Sequence, residues 1–290
     1  MQRPKFSIIL PIYNVEKYLA QCLSSILNQT VEDFELLCIN DASTDSSMDI
    51  VNRYAEFDTR IKIINHPENK GLGAARNTAL QYATGEFLCC IDSDDWVEEN
   101  FLEVFLKGFE KTDAPSVWIS PWKYYEKNDF ATLNLSHPCM AHHPGGELII
   151  TPRNIFSYPA YAWNKSYKLD YVKEHGFKWA EGLYFEDMYF YFDFILSDPK
   201  AYIMPEMTYI YRYREISISS KISNDIKKIK DMYEILNMMQ NLLKERQYDS
   251  SFQYSIDKFA KDFASGYKDS PIYDSIVAEY QKFLLKKSVL

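Results

Sequence analysis

Asp92-Ser93-Asp94-Asp95 sets three carboxylates within four positions, directly after the apolar run Phe87 to Ile91. Carboxylates this close repel one another unless a cation or hydrogen-bond donors sit among them. Hard oxygen ligands of this kind suit Mg2+ or Mn2+ held jointly with substrate phosphates. An acidic capping turn is the alternative, because Asp94 or Asp95 also suits the start of a following helix. Two more polar clusters follow apolar runs in the same way: Pro11-Ile12-Tyr13-Asn14, and Asn40-Asp41-Ala42-Ser43-Thr44-Asp45, the latter also readable as a turn and cap. A second acidic pair, Glu186-Asp187, lies within Glu181-Gly182-Leu183-Tyr184-Phe185-Glu186-Asp187-Met188. Both acids suit a helix N-terminus, which they would stabilise through its dipole.

Elements that end where these clusters begin can be read from the pattern of the first 122 residues. Short apolar runs alternate with helical spacing, the sign of strands and crossover helices in a sheet. Strands are expected at Phe6 to Ile12, Phe34 to Asn40, Ile61 to Ile64 and Phe87 to Ile91. Tyr18, Leu19, Cys22, Leu23, Ile26 and Leu27 recur at helical spacing up to Asn28. Asp45 or Ser46 caps a helix through Tyr54, another runs from about Gly73 to Ala83 with Gly85 beyond it, and Glu98 to Lys111 predicts the next. In open α/β sheets ligands collect beyond the carboxyl ends of strands, where the polar clusters fall. Residues 123 to 160, with Pro138, Pro144, Gly145, Gly146, Pro152 and Pro159, read as a long loop region with short pieces. A helix from Leu183 to Leu196 and a strand from Ala201 to Tyr213 follow, and the tail gives successive amphipathic helices.

Taken in order, these clusters resemble family 2 glycosyltransferases of the GT-A fold, closely over about the first 125 residues and more loosely to about 220. The resemblance implies that Pro11, Tyr13 and Asn14 belong to a nucleotide pocket, with the Tyr13 ring near the base, and that Asp41 accepts from the base edge. The family's next signature matches Asn69-Lys70-Gly71-Leu72-Gly73-Ala74-Ala75-Arg76-Asn77. There Lys70 and Gly71 line the donor, Gly71 and Gly73 allow close backbone approach, and Arg76 reaches base or phosphate. Asp92, Ser93, Asp94 and Asp95 align with the DXD-type element, in which the middle and last carboxylates meet ribose and metal, so Asp94 and Asp95 are the implied ligands of Mn2+ or Mg2+. Asp187 is the implied base and Glu186 its partner in orientation. Trp163 of Trp163-Asn164-Lys165 is similar to a ring lining the sugar pocket, with a buried structural Trp as the other reading. Arg212 and Arg214 stand where some members carry a His, and are expected to neutralise the departing diphosphate.

The whole chain fits this reading. It has 290 residues, 47% of them hydrophobic, and 23 Tyr with 18 Phe, rings that fill a core or stack on sugars and bases. A formal charge of -9 without a basic block in the first half excludes extended tracking of nucleic acid. The turn after the first strand is not the glycine-rich one of a dinucleotide enzyme, and no phosphate-cradling loop of the Walker type is present. Cys22, Cys38, Cys89, Cys90 and Cys139 form no CxxC pair and read as thiols in a reducing compartment. No leader or membrane span is visible, which with the thiols implies a cytoplasmic enzyme. His142 and His143, adjacent in a proline-rich loop, read as solvated.

The expected fold is therefore an α/β GT-A unit, a Rossmann-like mixed sheet flanked by helices, with a C-terminal helical extension. Residues 1–220 form the catalytic domain, 1–122 its nucleotide and metal part and 123–220 its acceptor part, and 221–290 are helical. The expected activity is inverting transfer of a sugar from a nucleotide-sugar donor, UDP-linked by preference, to a hydroxyl of a glycan or lipid-linked glycan in bacterial surface polysaccharide, capsule or lipooligosaccharide synthesis. The alternative is an inactive nucleotide-sugar-binding scaffold. In the tail, Lys227, Lys228, Lys230, Lys286 and Lys287 suit an anionic membrane face, while packing on the domain or in a homodimer is the competing use of these helices.

Overall fold

The computed structural model describes residues 3–119, 123–125, 143–213, 225–248 and 250–288. Its first half alternates strand and helix: β1 (Phe6–Ile12), α1 (Glu16–Leu27), β2 (Phe34–Asn40), α2 (Ser47–Ala55), β3 (Ile61–Asn65), α3 (Leu72–Tyr82) and β4 (Phe87–Cys90). Every residue of β1 and β2 is buried, the signature of parallel strands covered on both faces. Alternate residues enter different cores: Ile9, Leu37, Ile39, Leu88 and Cys90 face one, Ile8, Leu10, Leu36, Cys38 and Cys89 the other. Pro11 is tolerated in a central strand because its missing N–H faces the β4 side. Ile9 O on that side accepts from Ile91 N, and the β1–β4 ladder ends at Ile9 opposite Cys90.

Next come β5 (Trp96–Val97), α4 (Phe101–Phe109), β6 (Ser116–Ile119), β7 (Lys123–Tyr125), β8 (Gly146–Ile149), a 3-10 turn at Ile155–Ser157, β9 (Lys165–Lys168) and α5 (Leu169–Glu174). The chain then forms α6 (Glu186–Ser197), β10 (Lys200–Met204) and β11 (Tyr209–Arg212), followed by α7 (Ile226–Glu245), α8 (Ser250–Gly266) and α9 (Tyr273–Ser288). The main sheet has the order β3-β2-β1-β4-β9-β6-β10-β8. It is parallel from β3 to β4, β9 runs against both β4 and β6, β10 lies parallel to β6, and β8 runs against β10. A small sheet, β5-β11-β7, stands beside it.

Several boundaries differ from those expected. The helix predicted from Glu98 begins at Phe101, because Trp96 and Val97 pair with β11 and Glu98 N donates to Thr208 O. The single strand predicted from Ala201 to Tyr213 is two strands in different sheets, and Pro205 lies in the gap between them. The helix predicted from Leu183 starts at Glu186, because Phe185 is left-handed, with φ 64°. The region read as a loop holds β7, β8 and the 3-10 turn, and β6, β9 and α5 lie where no element was expected.

The tail helices pack on the domain. Ile229, Ile235, Leu236 and Met239 of α7, Ile256 of α8 and Phe283 of α9 join the core that holds Ile9, Leu37 and the apolar side of α6. Cys22, Cys38, Cys89 and Cys90 are buried free thiols, and no described helix is long and apolar enough to cross a membrane.

Candidate active site

The loops beyond β1 and β2 are laced together before any ligand is considered. Asn14, at φ 51°, accepts at Oδ1 from Thr44 N (2.8 Å) and Asp45 N (3.3 Å), and its own N–H donates to Ser43 Oγ (3.2 Å). Asp45 accepts from Glu16 N (2.9 Å) and Ser47 N (3.0 Å), so one carboxylate caps both α1 and α2. Pro11 is buried at the end of β1, while Tyr13 is 48% exposed and presents its ring at the rim.

Asp41 faces the glycine-bearing loop. Its Oδ1 accepts from Lys70 N (2.9 Å) and pairs with His66 Nδ1 (2.7 Å), and its Oδ2 accepts from Gly71 N (2.8 Å). Asp41 thus braces this loop from below, and His66, which no sequence motif singled out, completes the brace. Gly71 has φ +86° with open space where a side chain would be, and Lys70 is exposed beside it. Gly73 has a different role from the one expected. A Cβ there would meet Ala180 O at 2.2 Å, so its bareness serves the approach of α3 to the 180 segment.

The acidic turn is anchored from behind. Tyr209 OH accepts from Asp92 N (3.1 Å) and donates to Asp95 Oδ2 (2.8 Å), and Arg212 N donates to Asp95 Oδ1 (2.7 Å). Asp95, expected as a metal ligand, is 1% exposed with one hydrogen bond to each oxygen, and burial with Asp94 and Asp92 nearby pushes its carboxyl well up. Asp92 and Asp94 are half-buried, and Ser93 is buried between them. Arg212, expected on the diphosphate, donates through Nε to Asp94 O (2.8 Å) and through Nη2 to Gln21 Oε1 (2.6 Å). Its guanidinium lies over Trp96 (4.5 Å) and Tyr18 (4.9 Å), so it staples the turn from the protein side. Arg214 and His142 lie outside the described residues. Trp163 is 5% exposed, with near-parallel rings of Tyr209 (4.4 Å) and Tyr161 (5.0 Å) against it, the packing of a structural Trp.

Arg76 departs furthest from expectation. It is 2% exposed and bridges Asp92 Oδ1 (3.0 Å, Nη2) to Glu186 Oε1 (2.5 Å, Nη1), while its Nε is buried without a partner among the described residues. It therefore ties the acidic turn to the acidic pair. Asn77 makes a parallel tie, donating to Trp179 O (2.9 Å) and Glu181 Oε1 (2.8 Å) and accepting from Trp179 N (2.9 Å).

Glu186 and Asp187 open α6 and differ in what holds them. Glu186 is buried on Arg76, and burial raises its carboxyl although Arg76 opposes this. Among the described residues the half-buried Asp187 carboxylate accepts no hydrogen bond. Burial and the Glu186 charge push it up to about 7, against Arg76 and Lys165. Lys165 is fully buried below, and its ammonium donates to Pro159 O (2.6 Å), Tyr161 O (2.8 Å) and Asn164 Oδ1 (2.7 Å). The Trp163-Asn164-Lys165 motif was legible, yet the residue in it whose charge acts on Asp187 is the lysine.

Comparison with known proteins places the family and the fold. The family described as glycosyl transferase family 2 matches residues 7–173. The chain is 46% identical over 107 residues, 37% of its length, to the putative glycosyltransferase EpsH of Bacillus subtilis, a match that spans 31% of that protein. It is 29% identical over 242 residues to the glycosyltransferase GlyG of Streptococcus pneumoniae, covering 80% of this chain and 78% of that one. The poly(ribitol-phosphate) beta-glucosyltransferase of Bacillus spizizenii is 44% identical over 96 residues, 32% of this chain and 15% of its own length. Among solved structures, S. aureus TarS 1-349 superposes with a TM-score of 0.71 at 21% identity, covering 96% of this chain and 80% of that one. These likenesses bear out the GT-A fold.

Proposed function

The chain belongs to glycosyl transferase family 2, and from that premise we propose that it transfers a sugar, with inversion, from a UDP-sugar to a hydroxyl of a bacterial surface polysaccharide. Asp187 carries the reading. A carboxylate with no hydrogen-bond partner among the described residues and a pKa pushed up to about 7 is matched to removing a hydroxyl proton near neutral pH. Asp187 takes the acceptor's proton as that oxygen attacks the anomeric carbon opposite the departing nucleotide. Glu186, fixed on Arg76, holds the start of α6 in place. A single base suits in-line displacement with inversion.

Relatives support the choice of donor and acceptor. TarS has been solved with UDP and with UDP-GlcNAc, and a mannosyltransferase from Pyrobaculum calidifontis with GDP-Man and Mn2+. Similarity to the poly(ribitol-phosphate) beta-glucosyltransferase favours a polymer acceptor.

The donor set fits a divalent ion shared with substrate. No group of three ligating side chains occurs among the described residues; Asp94 and Asp92, half-buried on the turn whose Asp95 is held by Tyr209 and Arg212 N, are the carboxylates that would hold the ion, with Asp92 sharing its Oδ1 with Arg76. Two carboxylates completed by phosphate oxygens suit Mg2+ or Mn2+ better than an all-protein cage. When bound, such an ion would neutralise charge on the leaving diphosphate.

Calorimetric titration with UDP, GDP, CDP and dTDP, each with Mn2+ and again with EDTA, tests the donor site, and UDP binding that EDTA abolishes is the expected result. Asp187→Asn should bind UDP as the wild type does and lose transfer by about a thousandfold or more. Transfer is read as UDP release from UDP-glucose or UDP-GlcNAc with poly(ribitol phosphate) as acceptor. Binding of no nucleotide under either condition would overturn the donor site, and UDP binding without any UDP release would favour the inactive nucleotide-sugar-binding scaffold.

A further inference from the structure

Asp231 lies on α7, in the helical region that the sequence marks as an accessory, yet its carboxylate reaches the segment that leads into the base. It is buried and accepts at Oδ2 from Tyr184 N (3.0 Å) and from Lys227 Nζ (2.5 Å). Lys227 Nζ also stands 4.7 Å from the centre of the Tyr184 ring. Tyr184 precedes Phe185, whose φ of 64° turns the chain into Glu186 and Asp187. A left-handed phenylalanine is costly for its Cβ and persists only where its surroundings hold it. Here the restraints sit on both sides of the turn: Arg76 grips Glu186 after it, and Asp231 grips the Tyr184 amide before it. At the other end of α6, Arg246 pairs with Asp193 and donates to Ser197 Oγ (2.7 Å), and Tyr248 OH donates to Leu196 O. α6 is thus held at both ends, by Asp231 of α7 at its start and by Arg246 and Tyr248, just beyond α7, at its finish.

We propose that Asp231 is a positioning residue for sugar transfer, holding the Tyr184 amide so that the Phe185 turn and the Asp187 carboxylate keep one geometry. The inference rests on Asp187 being the base. It makes α7 part of the catalytic unit, which the order of motifs along the chain does not suggest.

The test uses the full chain and two readouts, hydrogen exchange of the 183–187 amides and UDP release in the assay above. Asp231→Ala should speed exchange at 183–187 and lower kcat about ten- to a hundredfold, with UDP affinity changed by less than about twofold. Asp231→Asn, whose side-chain oxygen still accepts from Tyr184 N, should restore slow exchange and most of kcat. Arg246→Met, at the far end of the same helix pair, should lower Tm without the loss of kcat, separating positioning from stability. Unchanged exchange or unchanged kcat in Asp231→Ala, or an Asp231→Asn as impaired as the alanine variant, would overturn the proposal. Failure of the base assignment is distinct, because Asp187→Asn would then keep turning over.

Discussion

A carboxyl pushed up by burial is a stability cost once ionised, and at Asp187, the proposed base, the sign of that cost can be worked out. Its folded value of about 7 lies above its ordinary 3.8, so between these values the native protein holds a proton that the unfolded chain has released. Stability therefore falls as pH rises through this window, and above the folded value the whole penalty is present. Asp187→Asn removes the charge and keeps the shape, so its gain in Tm over the wild type should be larger at about pH 8 than at about pH 5. Turnover of the wild type should move the other way, falling as pH drops through about 7, because only the ionised carboxylate accepts a proton. An equal Tm difference at both pH values, measured by calorimetry, would show that the Asp187 carboxyl titrates normally. The neighbouring acid behaves differently because Arg76 is committed to it: Glu186 is a buried half of an ion pair, and Asp187 is not.

At the scale of elements, the site depends on α3 meeting the segment before α6. Gly73 permits that meeting, since any Cβ there would fall 2.2 Å from Ala180 O and 3.1 Å from Ala180 C, both backbone atoms that cannot swing aside. Gly73→Ala should cost about 1–3 kcal/mol, read from denaturant midpoints, and should impair transfer more than nucleotide binding, because the displaced segment leads to Asp187. Much of this architecture was legible in the chain: β1 and β2 have the expected bounds, and the motif loops fall at strand ends. What escaped has physical causes. β9 reads Lys-Ser-Tyr-Lys, and Lys165 and Ser166 are buried only because carbonyl oxygens pair with them, which hydropathy does not register. Burial of Arg76 escaped similarly, since it needs Asp92 and Glu186, distant in sequence, to converge on one guanidinium. Pro205 was a visible signal for splitting β10 from β11, whereas the close approach at Gly73, expected toward the donor, is to Ala180 of the protein itself.

For the whole molecule, the compositional division at 220 and 221 does not coincide with a division of the core. One continuous cluster runs from Ile9 and Leu37 in the sheet, through Phe190, Phe192 and Phe194 of α6, to Ile229 and Leu236 of α7, Ile256 of α8 and Phe283 of α9. Each fully buried side chain of this size contributes about 1.5–3 kcal/mol relative to exposure. Ending the chain before α7 would therefore uncover apolar surface worth more than the net stability of an ordinary domain, which is about 5–15 kcal/mol. The same cut would remove Asp231 from Tyr184 and Arg246 from Asp193. A fragment of residues 1–224 should then fail to give a soluble protein with a cooperative melt, whereas the full chain should unfold in one calorimetric transition with coincident loss of helix signal and of tyrosine and tryptophan burial. A fragment that melted cooperatively and bound UDP would instead mark α7 to α9 as a separable module, with the start of α6 held in place by α3 alone.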